Sequence, residues 1–325
     1  MNIKKSNICA LIVTYNRKDY LLNLLQALES QTMKLNKILI FDNLSNDGTG
    51  DFLIKHGYTV KANNLELTQV VKNNISIFYY RNDQNSGGSG GFHDGLDLAR
   101  EFECDYIWAM DDDVMPDSEC LANLIKHMSC DTKICIPSRS DELFQDYAIT
   151  ELNMSNPFKY DINMRKTKIK SNDIKGEYVY IKDMPFEGPL IATSLINDIG
   201  LPNKDFFIIF DDSEYAYRAS KVTKLKYVKT AILHKQIIPQ KCPNRKMGWK
   251  EYYGYRNQIY FDKIYGKNIF TKGLRPIFLY IDLITRSIYR KKWSNIKVIN
   301  KAYKDGKSLK LGKIINPGTT GEEFK

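Results

Sequence analysis

Short, almost continuously apolar runs alternate with helix-like segments through the first third of the chain. The first run, Ile8 to Thr14, is rich in β-branched side chains and predicts a strand buried on both faces of a parallel sheet. Leucines at helical spacing follow between Leu21 and Ser30, and further strand-like runs come at Lys37 to Phe41, Ile75 to Tyr80 and Tyr106 to Met110. This succession predicts a doubly wound α/β sheet, in which ligands bind beyond the carboxyl ends of the strands.

The loops that leave the first two strands carry polar side chains suited to ligand contact. These side chains are Thr14, Tyr15, Asn16, Arg17, Asp42 and Asn43. Taken singly, each loop is equally typical of a helix cap or an Asx turn. Because the carboxyl ends of parallel strands meet at one edge of a sheet, we expect the two loops to form one crevice.

A glycine-rich segment follows the third strand. It reads NSGGSGGF from Asn85 to Phe92 and includes Gly87, Gly88 and Gly91. Glycines let a backbone approach a ligand closely, and the next helix presents its amino terminus to the same place. We therefore expect a phosphate-binding loop, with a flexible linker as the alternative. The spacing fits neither the dinucleotide-binding motif nor the Walker A motif.

Three consecutive carboxylates, Asp111, Asp112 and Asp113, end the fourth strand. Their mutual repulsion is relieved when a divalent cation neutralises the charge. Because alternate residues of an extended segment face the same side, we expect Asp111 and Asp113 to bind one Mg²⁺ or Mn²⁺ while Asp112 points elsewhere. A solvated acidic turn is the plainer alternative.

The second half of the chain supplies a candidate general base. The apolar run from Phe206 to Phe210 is interpreted as a buried strand, and it leads into Asp211 and Asp212 at the start of a helix. Neighbouring carboxylates in a partly dry cleft have the raised proton affinity that a general base requires. Capping of the helix by first-turn acids also accounts for part of this pattern.

Length, cysteines and hydropathy limit the class of protein. A chain of 325 residues with 43% hydrophobic residues can bury one large α/β domain and an appended segment. No window holds eighteen uninterrupted apolar residues and no signal peptide is recognisable, so we expect a cytoplasmic protein. The six cysteines are scattered without a CxxC pair, and we expect reduced thiols rather than a zinc site or disulfides.

Basic residues concentrate near the carboxyl terminus. Residues 263 to 313 hold fourteen Lys and Arg against two acids, a local charge of +12 in a chain of net charge +10. The apolar segment from Pro276 to Tyr289 is too short to span a bilayer, but it is long enough to lie in the membrane interface among anionic lipids. A helix packed on the catalytic domain is the alternative, and nucleic acid is not expected because no binding motif is present.

These motifs together resemble the inverting glycosyltransferases of family 2, which have the GT-A fold. VTYNR at Val13 to Arg17, DNLSNDGT at Asp42 to Thr49 and the triple aspartate fall in that family's order, over roughly Ile8 to Tyr260. NSGGSGGF followed by WAMDDDVMP at Trp108 to Pro116 is most similar to the galactofuranosyltransferase branch. One departure is Gly254, where some galactofuranosyltransferases have a histidine.

The resemblance implies a role for each candidate side chain. Thr14, Asp42 and the loop from Asn85 to Gly91 would hold the nucleotide, and Asp112 would lie near the donor sugar. Asp111 and Asp113 would form the metal-binding DxD element, completed by His234. Asp212 would be the base, with Asp211 as the fallback. The acceptor would contact Glu187, Gly188, Trp249, Tyr253, Arg256 and Asn257, although an aromatic stripe at helical spacing is also typical of a core.

The expected architecture is a GT-A domain of residues 1–240, divided into a nucleotide-sugar half (1–115) and an acceptor half (116–240), with a basic helical extension at 241–325. The expected reaction transfers galactofuranose from UDP-galactofuranose, with Mn²⁺ or Mg²⁺, to a lipid-linked bacterial glycan at the inner face of the cell membrane. Alternatives are a rhamnosyltransferase that uses dTDP-rhamnose and a non-catalytic nucleotide- or carbohydrate-binding module. A homo-oligomer is left open.

Overall fold

The predicted alternation of strands and helices is present in the computed structural model, which describes residues 6–238 and 246–324. The first apolar run forms a strand with the predicted bounds, and the other predicted strands of this part agree within one residue at each end. The elements are β1 (Ile8–Thr14), α1 (Lys18–Glu29), β2 (Lys37–Asp42), α2 (Thr49–Lys55), β3 (Leu67–Lys72), β4 (Ile75–Arg81), α3 (Gly87–Arg100) and β5 (Tyr106–Asp111). Strand β3 was not predicted, because its sequence LTQVVK lacks a continuous apolar run.

The middle of the chain adds shorter strands and helices. They are β6 (Val114–Pro116), α4 (Cys120–Ile125), β7 (Thr132–Ser138), β8 (Tyr147–Leu152), α5 (Ile162–Arg165), β9 (Lys166–Lys170), β10 (Tyr178–Ile181), β11 (Leu190–Ala192), α6 (Thr193–Ile199), α7 (Asp211–Ala219) and β12 (Lys224–Lys235). Two short 3₁₀ turns, Ser171–Asp173 and Lys204–Phe206, connect some of them.

Three helices make up most of the carboxyl-terminal part: α8 (Trp249–Tyr265), α9 (Ile269–Tyr289) and α10 (Ser294–Lys307). The expected boundary between residues 240 and 241 lies outside the described residues, as does Cys242, whereas the other five cysteines are free. Within residues 6–238 and 246–324, no helix combines the length and apolarity needed to cross a bilayer.

One large sheet organises the fold, in the order β10-β12-β7-β11-β5-β1-β2-β4-β3, with β6 paired to β12. Strands β5, β1, β2 and β4 run parallel to one another, and antiparallel strands lie at the edges and at β11. The predicted α/β class with a Rossmann-like sheet is confirmed. A separate hairpin, β8-β9, stands outside this sheet.

Burial on both faces of β1 matches its continuous apolar sequence. Ile8, Ala10 and Ile12 join one hydrophobic cluster, and Cys9 and Leu11 join the cluster on the opposite face. Parallel strands with helices on both sides bury every side chain, so no polar alternation is needed. The two clusters hold the carboxyl ends of the central strands in fixed register.

Candidate active site

A cleft of about 530 Å³ opens at the carboxyl ends of the central strands, at the predicted edge. In the sheet register Thr14 pairs with Asp42, and Val13 pairs with Asp111. The cleft is lined by ten predicted site residues: Thr14, Tyr15, Arg17, Asn43, Asn85, Gly87, Gly88, Asp111, Asp112 and Trp249. Asn16, Gly91 and Asp113 lie beside this lining. The crevice is therefore assembled from all the amino-terminal loops that the sequence singled out.

Asp112 binds the loop between β1 and α1 through hydrogen bonds. Its buried carboxylate accepts hydrogen bonds from Thr14 Oγ1 (2.7 Å), the Tyr15 amide (3.1 Å) and Arg17 Nη1 (3.0 Å). Burial raises the pKa of Asp112, although Arg17 and Thr14 oppose that shift. The carboxylate is thus already used to position the loop, and its contact with a donor sugar stays a prediction.

Asp111 and Asp113 behave differently from Asp112. Among the described residues, no hydrogen bond or ion pair holds the Asp111 carboxylate, which faces the cleft. Burial, together with the charges of Asp113, Glu187 and Asp112, raises its pKa well above the ordinary value. Asp113 forms an ion pair with Arg17 at 3.0 Å.

This pair of carboxylates fits a divalent cation of the Mg²⁺ or Mn²⁺ type. Such an ion binds through one or two carboxylates and keeps its other positions for water and phosphate oxygens, and its charge would relieve the repulsion at Asp111. The described residues contain no group of three His, Cys, Asp or Glu side chains that could hold a metal. The fit therefore rests on two carboxylates and not on a complete protein cage.

His234 bonds two other carboxylates. Its Nδ1 is 2.9 Å from Asp141 Oδ2 and its Nε2 is 2.9 Å from Asp117 Oδ1. Partial burial alone would lower the pKa of His234, but Asp141 and Asp117 outweigh it and raise that pKa. The structure thus brings together two of the three predicted metal ligands and gives His234 other partners.

The glycine-rich segment is the first turn of α3, and not the loop that the sequence suggested. Gly87 has φ of +74°, and a Cβ there would lie 2.1 Å from the Phe207 carbonyl oxygen, so only glycine fits. Gly91 packs against Val13 in the same way, whereas Gly88 has open space where a side chain would be. A helix amino terminus facing a cleft is a site for anions, and Gly88 leaves it accessible.

Asn43 connects the end of β2 to this turn. Its Nδ2 donates to the Gly87 carbonyl (2.9 Å) and its Oδ1 accepts from the Ser86 amide (3.0 Å), while Asn85 Oδ1 accepts from the Gly87 amide (2.9 Å). Asn16 donates to Asn46 (2.8 Å) and so braces the neighbouring loop. These residues hold the backbone that faces the cleft.

Asp42 requires a correction, because it has no exposed surface. Its carboxylate accepts hydrogen bonds from the Tyr79 hydroxyl (2.8 Å) and the Ser45 amide (2.7 Å). A nucleotide cannot reach these oxygens in this arrangement. Asp42 instead fixes the turn that carries Asn43.

Asp211 and Asp212 open α7, as predicted. Burial raises the pKa of Asp211 to about 6 and that of Asp212 to about 8, the latter with help from Asp211 and Asp183. Asp212 is partly accessible and faces a second cavity of about 290 Å³, whereas Asp211 is buried. The geometry therefore gives Asp212, and not Asp211, access to an incoming ligand.

The segment before these acids is not a strand, contrary to the expectation. After the 3₁₀ turn, Phe207, Ile209 and Phe210 all have positive φ, at 67°, 65° and 80°. Such values are unfavourable for bulky side chains and persist only where surrounding contacts impose them. The carbonyl of Phe207 accepts the Ser89 amide of α3 at 3.0 Å, and this loop forms one wall of the cleft.

Arg256 and Asn257 hold this loop in its conformation. They were expected to contact the acceptor, and the structure corrects that expectation. Both are fully buried in α8. Asn257 Nδ2 lies within 3.1 Å of the carbonyl oxygens of Phe206, Ile208 and Ile209, and Arg256 Nη2 donates to Phe206 O at 2.9 Å. They shape the loop before the candidate base and do not face a ligand.

Tyr253 is also fully buried, which corrects its acceptor assignment. Its hydroxyl lies 3.0 Å from the amides of Ile314 and Ile315 and 2.8 Å from the Ile315 carbonyl. The chain beyond Ile315 then reaches the cleft, where Pro317 contributes to the wall. We call residues 309–324 the C-terminal strap.

The cleft contains residues that the sequence did not indicate. They are Phe207, Ile208, Ile209, Lys250 and Pro317. Lys250 adjoins Trp249 in the aromatic segment, so its charge was a usable signal. Pro317 lies about sixty residues beyond the resemblance, and no local pattern marks it.

Glu187 occupies a charged position between the two cavities. Its carboxylate pairs with Arg139 Nη1 and Lys235 Nζ, both at 2.7 Å. Burial alone would raise the pKa of Glu187, but these two cations outweigh it and hold that pKa below the ordinary value. Gly188 has φ of +86° and packs against Leu233 and Pro137, so it serves the backbone turn.

Comparison with known proteins gives a consistent family. Residues 9–186 match the family model described as Glycosyl transferase family 2. Galactofuranosyltransferase GlfT1 of Mycolicibacterium smegmatis is 24% identical over 219 residues, and GlfT1 of Mycobacterium tuberculosis is 28% identical over 211 residues. Each match covers 64% of this chain and 63% or 62% of the relative, slightly less than two thirds of its length.

A third relative and two solved structures extend the comparison. Abequosyltransferase RfbV of Salmonella typhimurium is 33% identical over 127 residues, covering 38% of this chain and 34% of the relative. The structure of GalNAc-T7 with UDP, GalNAc and Mn²⁺ superposes with a TM-score of 0.63 at 13% identity, over 95% of this chain and 54% of the other. Mannosyltransferase PcManGT of Pyrobaculum calidifontis, with GDP-Man and Mn²⁺, gives 0.54 at 12% identity, over 94% and 88%. Both structures support the fold.

Proposed function

The chain belongs to glycosyl transferase family 2, and we propose that it transfers galactofuranose from UDP-galactofuranose to a hydroxyl of a lipid-linked bacterial surface glycan, with inversion at the anomeric carbon. One observation carries this proposal. One cleft is lined by the accessible amino terminus of α3 and by Asp111, which has no protein partner among the described residues, and Asp212, whose pKa is raised to about 8, lines a second cavity. The galactofuranosyltransferase relatives support the choice of sugar.

The donor diphosphate would bind at the start of α3. Gly88 leaves the backbone amides accessible there, and Arg17 and Lys250 place positive charge in the same cleft. Asp111 and Asp113 would hold a divalent cation, which when bound neutralises negative charge on the diphosphate. Backbone donors fixed by Asn43 need no reorganisation when the leaving group gains charge.

Asp212 would act as the general base. Its carboxylate takes the proton of the acceptor hydroxyl while that oxygen forms a bond to the anomeric carbon. The bond from this carbon to the diphosphate oxygen breaks on the opposite face, and UDP leaves with the electron pair. A single displacement of this kind inverts the configuration, and the raised pKa of Asp212 gives the carboxylate high proton affinity once it is ionised.

A donor and acceptor screen with Mn²⁺ tests the function. The donors are UDP-galactofuranose, UDP-galactopyranose and dTDP-rhamnose, and the acceptors are octyl β-D-galactopyranoside, octyl β-D-glucopyranoside, octyl α-D-mannopyranoside and octyl α-L-rhamnopyranoside. We expect hydrolysis and transfer with UDP-galactofuranose to exceed those with the other donors at least tenfold. Preference for dTDP-rhamnose would make the protein a rhamnosyltransferase. Nucleotide binding without turnover of any donor would make it a binding module.

A lipid-linked acceptor requires access to a membrane, and α9 offers a suitable face. Phe270, Ile277, Ile281 and Ile288 are exposed apolar side chains at helical spacing on this helix, and Trp293 is exposed just beyond it. Exposed basic side chains flank this stripe: Lys272, Arg286, Arg290 and Lys291. Not every basic residue of the C-terminal extension can contact lipid, because Arg275 is buried and pairs with Asp262. An apolar stripe beside cations suits the anionic inner face of a cell membrane.

Vesicle sedimentation tests this attachment. We expect the protein to sediment with vesicles containing phosphatidylglycerol, less so with pure phosphatidylcholine, and to be released in part by 0.5 M salt. Ile281→Glu should abolish sedimentation, whereas Val222→Glu, an exposed apolar position outside α9, should not. Equal sedimentation of both variants would refute a docking role for α9.

A further inference from the structure

The second cavity is lined by Asp212 and bounded in part by the β8-β9 hairpin. It is separate from the cleft at the carboxyl ends of the central strands, which we call the donor cleft. Its volume is about 290 Å³, and its walls include Asp212, Asp183, Lys166 and the aromatic side chains Phe144 and Tyr147. None of the residues that line the donor cleft lines this cavity. A reactant that gives its proton to Asp212 and is not the donor would therefore enter here.

Asp183 is the unusual member of this wall. It is 95% buried, and its Oδ2 forms an ion pair with Lys166 Nζ at 2.5 Å. Its Oδ1 is buried and has no hydrogen-bond partner in the described part of the chain. A buried carboxylate oxygen without a partner costs free energy unless a ligand or water supplies a donor. The segment is held in place by the bridge between Asp183 and Ile149 and by the Lys182 amide, which donates to Ile149 O at 2.8 Å.

The remaining wall suits a sugar ring. Tyr147 is 41% exposed at the cavity, and Phe144 is held beneath Lys235, whose Nζ lies 5.4 Å from the ring centre. Aromatic faces pack against the apolar side of a ring, and hydroxyl groups at the ring edge need acceptors such as a carboxylate. A few polar groups in a partly apolar pocket fix the orientation of a ligand.

We propose that this cavity is the acceptor subsite, and that Asp183 Oδ1 accepts a hydrogen bond from the hydroxyl group adjacent to the one that reacts. The proposal rests on the proposed function. It names the acceptor as a neutral sugar with a vicinal diol, one hydroxyl directed to Asp212 and its neighbour to Asp183. Lys166 pairs with Asp183 Oδ2, and a carboxylate in such a pair accepts hydrogen bonds from a ligand hydroxyl. Burial first, and then the charges of Asp211 and Asp183, raise the pKa of Asp212, so the same carboxylate assists the base.

The test measures how UDP-galactofuranose partitions between transfer and hydrolysis, with the octyl glycoside that reacts fastest in the screen. Asp183→Asn should lower the ratio of transfer to hydrolysis at least tenfold and raise the acceptor KM by a similar factor. Asp173→Asn, the same change at an exposed carboxylate of the 3₁₀ turn, should match the wild type. For the wild type, kcat/KM should be at least tenfold lower with an acceptor that lacks the neighbouring hydroxyl than with the intact acceptor. With the acceptor that lacks this hydroxyl, Asp183→Asn and the wild type should have similar kcat/KM values.

Other results separate the two proposals. If the wild type transfers galactofuranose but Asp183→Asn leaves the ratio and the acceptor KM unchanged, the subsite is refuted while the function stands. If transfer and hydrolysis fall in equal proportion, Asp183 has a structural role only, and the subsite is again refuted. If Asp183→Asn does not fold, Tyr147→Ala tests the subsite instead, and it should raise the acceptor KM several-fold. Its control is Tyr180→Ala on the edge strand β10, which should leave the acceptor KM unchanged. A wild type that neither hydrolyses nor transfers the sugar overturns both proposals.

Discussion

Among single residues, replacement of Asp212 is expected to lower catalysis strongly and to raise the stability of the protein at high pH. Asp212→Asn removes the base, and kcat should fall by about a thousandfold, within the usual range for general base catalysis. The pKa of Asp212 in the folded protein is raised to about 8, whereas an aspartate in the unfolded chain loses its proton near pH 4. The contribution of Asp212 to the free energy of unfolding is therefore fully present below about pH 4 and is lost as the pH rises to about 8. Asparagine suffers no such loss. At pH 9 the variant should therefore have a higher Tm than the wild type, by scanning fluorimetry.

The same group predicts the pH dependence of the reaction. Burial and the charges of Asp211 and Asp183 outweigh the opposing charge of Lys166 and raise the pKa of Asp212. Since the ionised form is the active base, kcat/KM should rise about tenfold per pH unit below pH 8 and level off above it. A profile from pH 6 to 10 that is already level at pH 6 would contradict this assignment.

Asp113 gives a separate test of the cation. Asp113→Ala should weaken the stabilisation of the protein by Mn²⁺ with UDP, seen as a smaller rise in Tm, and should lower kcat/KM by about a hundredfold. Chelation should inactivate the wild type and change the variant little further. Asp173→Ala, at an exposed site, should retain the Mn²⁺ effect. A full Mn²⁺-induced rise in Tm for Asp113→Ala would exclude this carboxylate as a ligand.

The sequence indicates which polar residues are candidates for the site, but not what each side chain contacts. The aspartate run and Asp212 stood out because adjacent carboxylates repel one another unless a cation or another partner is present. Asp42, Arg256 and Asn257 stood out equally, yet they are buried and bind other parts of the protein. Whether a polar side chain faces a ligand or a backbone carbonyl depends on contacts that are distant in sequence, and local patterns carry no information about those contacts.

At the scale of elements, the loop from Phe206 to Phe210 shows how an apolar run can mislead. FFIIF has the composition of a buried strand, yet only its three phenylalanines are buried, whereas Ile209 is exposed. Its backbone, however, is shaped by hydrogen bonds from α8, which begins about forty residues later. By contrast, β1, β2 and β5 were predicted closely because parallel strands buried on both faces need only a continuous apolar run.

Asn257 provides the test of this loop. Asn257→Ala leaves the carbonyl groups of Phe206, Ile208 and Ile209 without their side-chain donor, which should destabilise the protein by about 2 to 4 kcal/mol. Because the loop precedes Asp212, we expect kcat to fall more than the donor affinity. Thermal unfolding and steady-state kinetics measure both effects. Asn300→Ala, on the surface of α10, serves as the control, and equal effects of the two variants would refute the role of Asn257.

At the scale of the whole molecule, the order of motifs was sufficient to predict the family and the α/β fold. The relation between the two ends of the chain was not predictable in this way. The C-terminal strap returns to the donor cleft at the opposite end of the sequence from β1, and Lys313 Nζ lies 3.3 Å from the Asn85 carbonyl at the start of the glycine-rich turn. Part of the basic extension therefore lies beside the cleft proposed for the donor, and another part is a candidate membrane surface.

This arrangement predicts that the strap controls donor affinity through Tyr253. Tyr253→Phe removes the hydroxyl that bonds Ile314 and Ile315, which should cost about 1 to 3 kcal/mol of local stability and loosen the position of Pro317. The KM for the donor should then rise several-fold, while the acceptor KM changes little because no residue of the strap lines the proposed acceptor cavity. Tyr255→Phe, on the same helix, is the matched control. If Tyr253→Phe raised the acceptor KM and left the donor KM unchanged, the strap would have to be assigned to the acceptor side of the reaction.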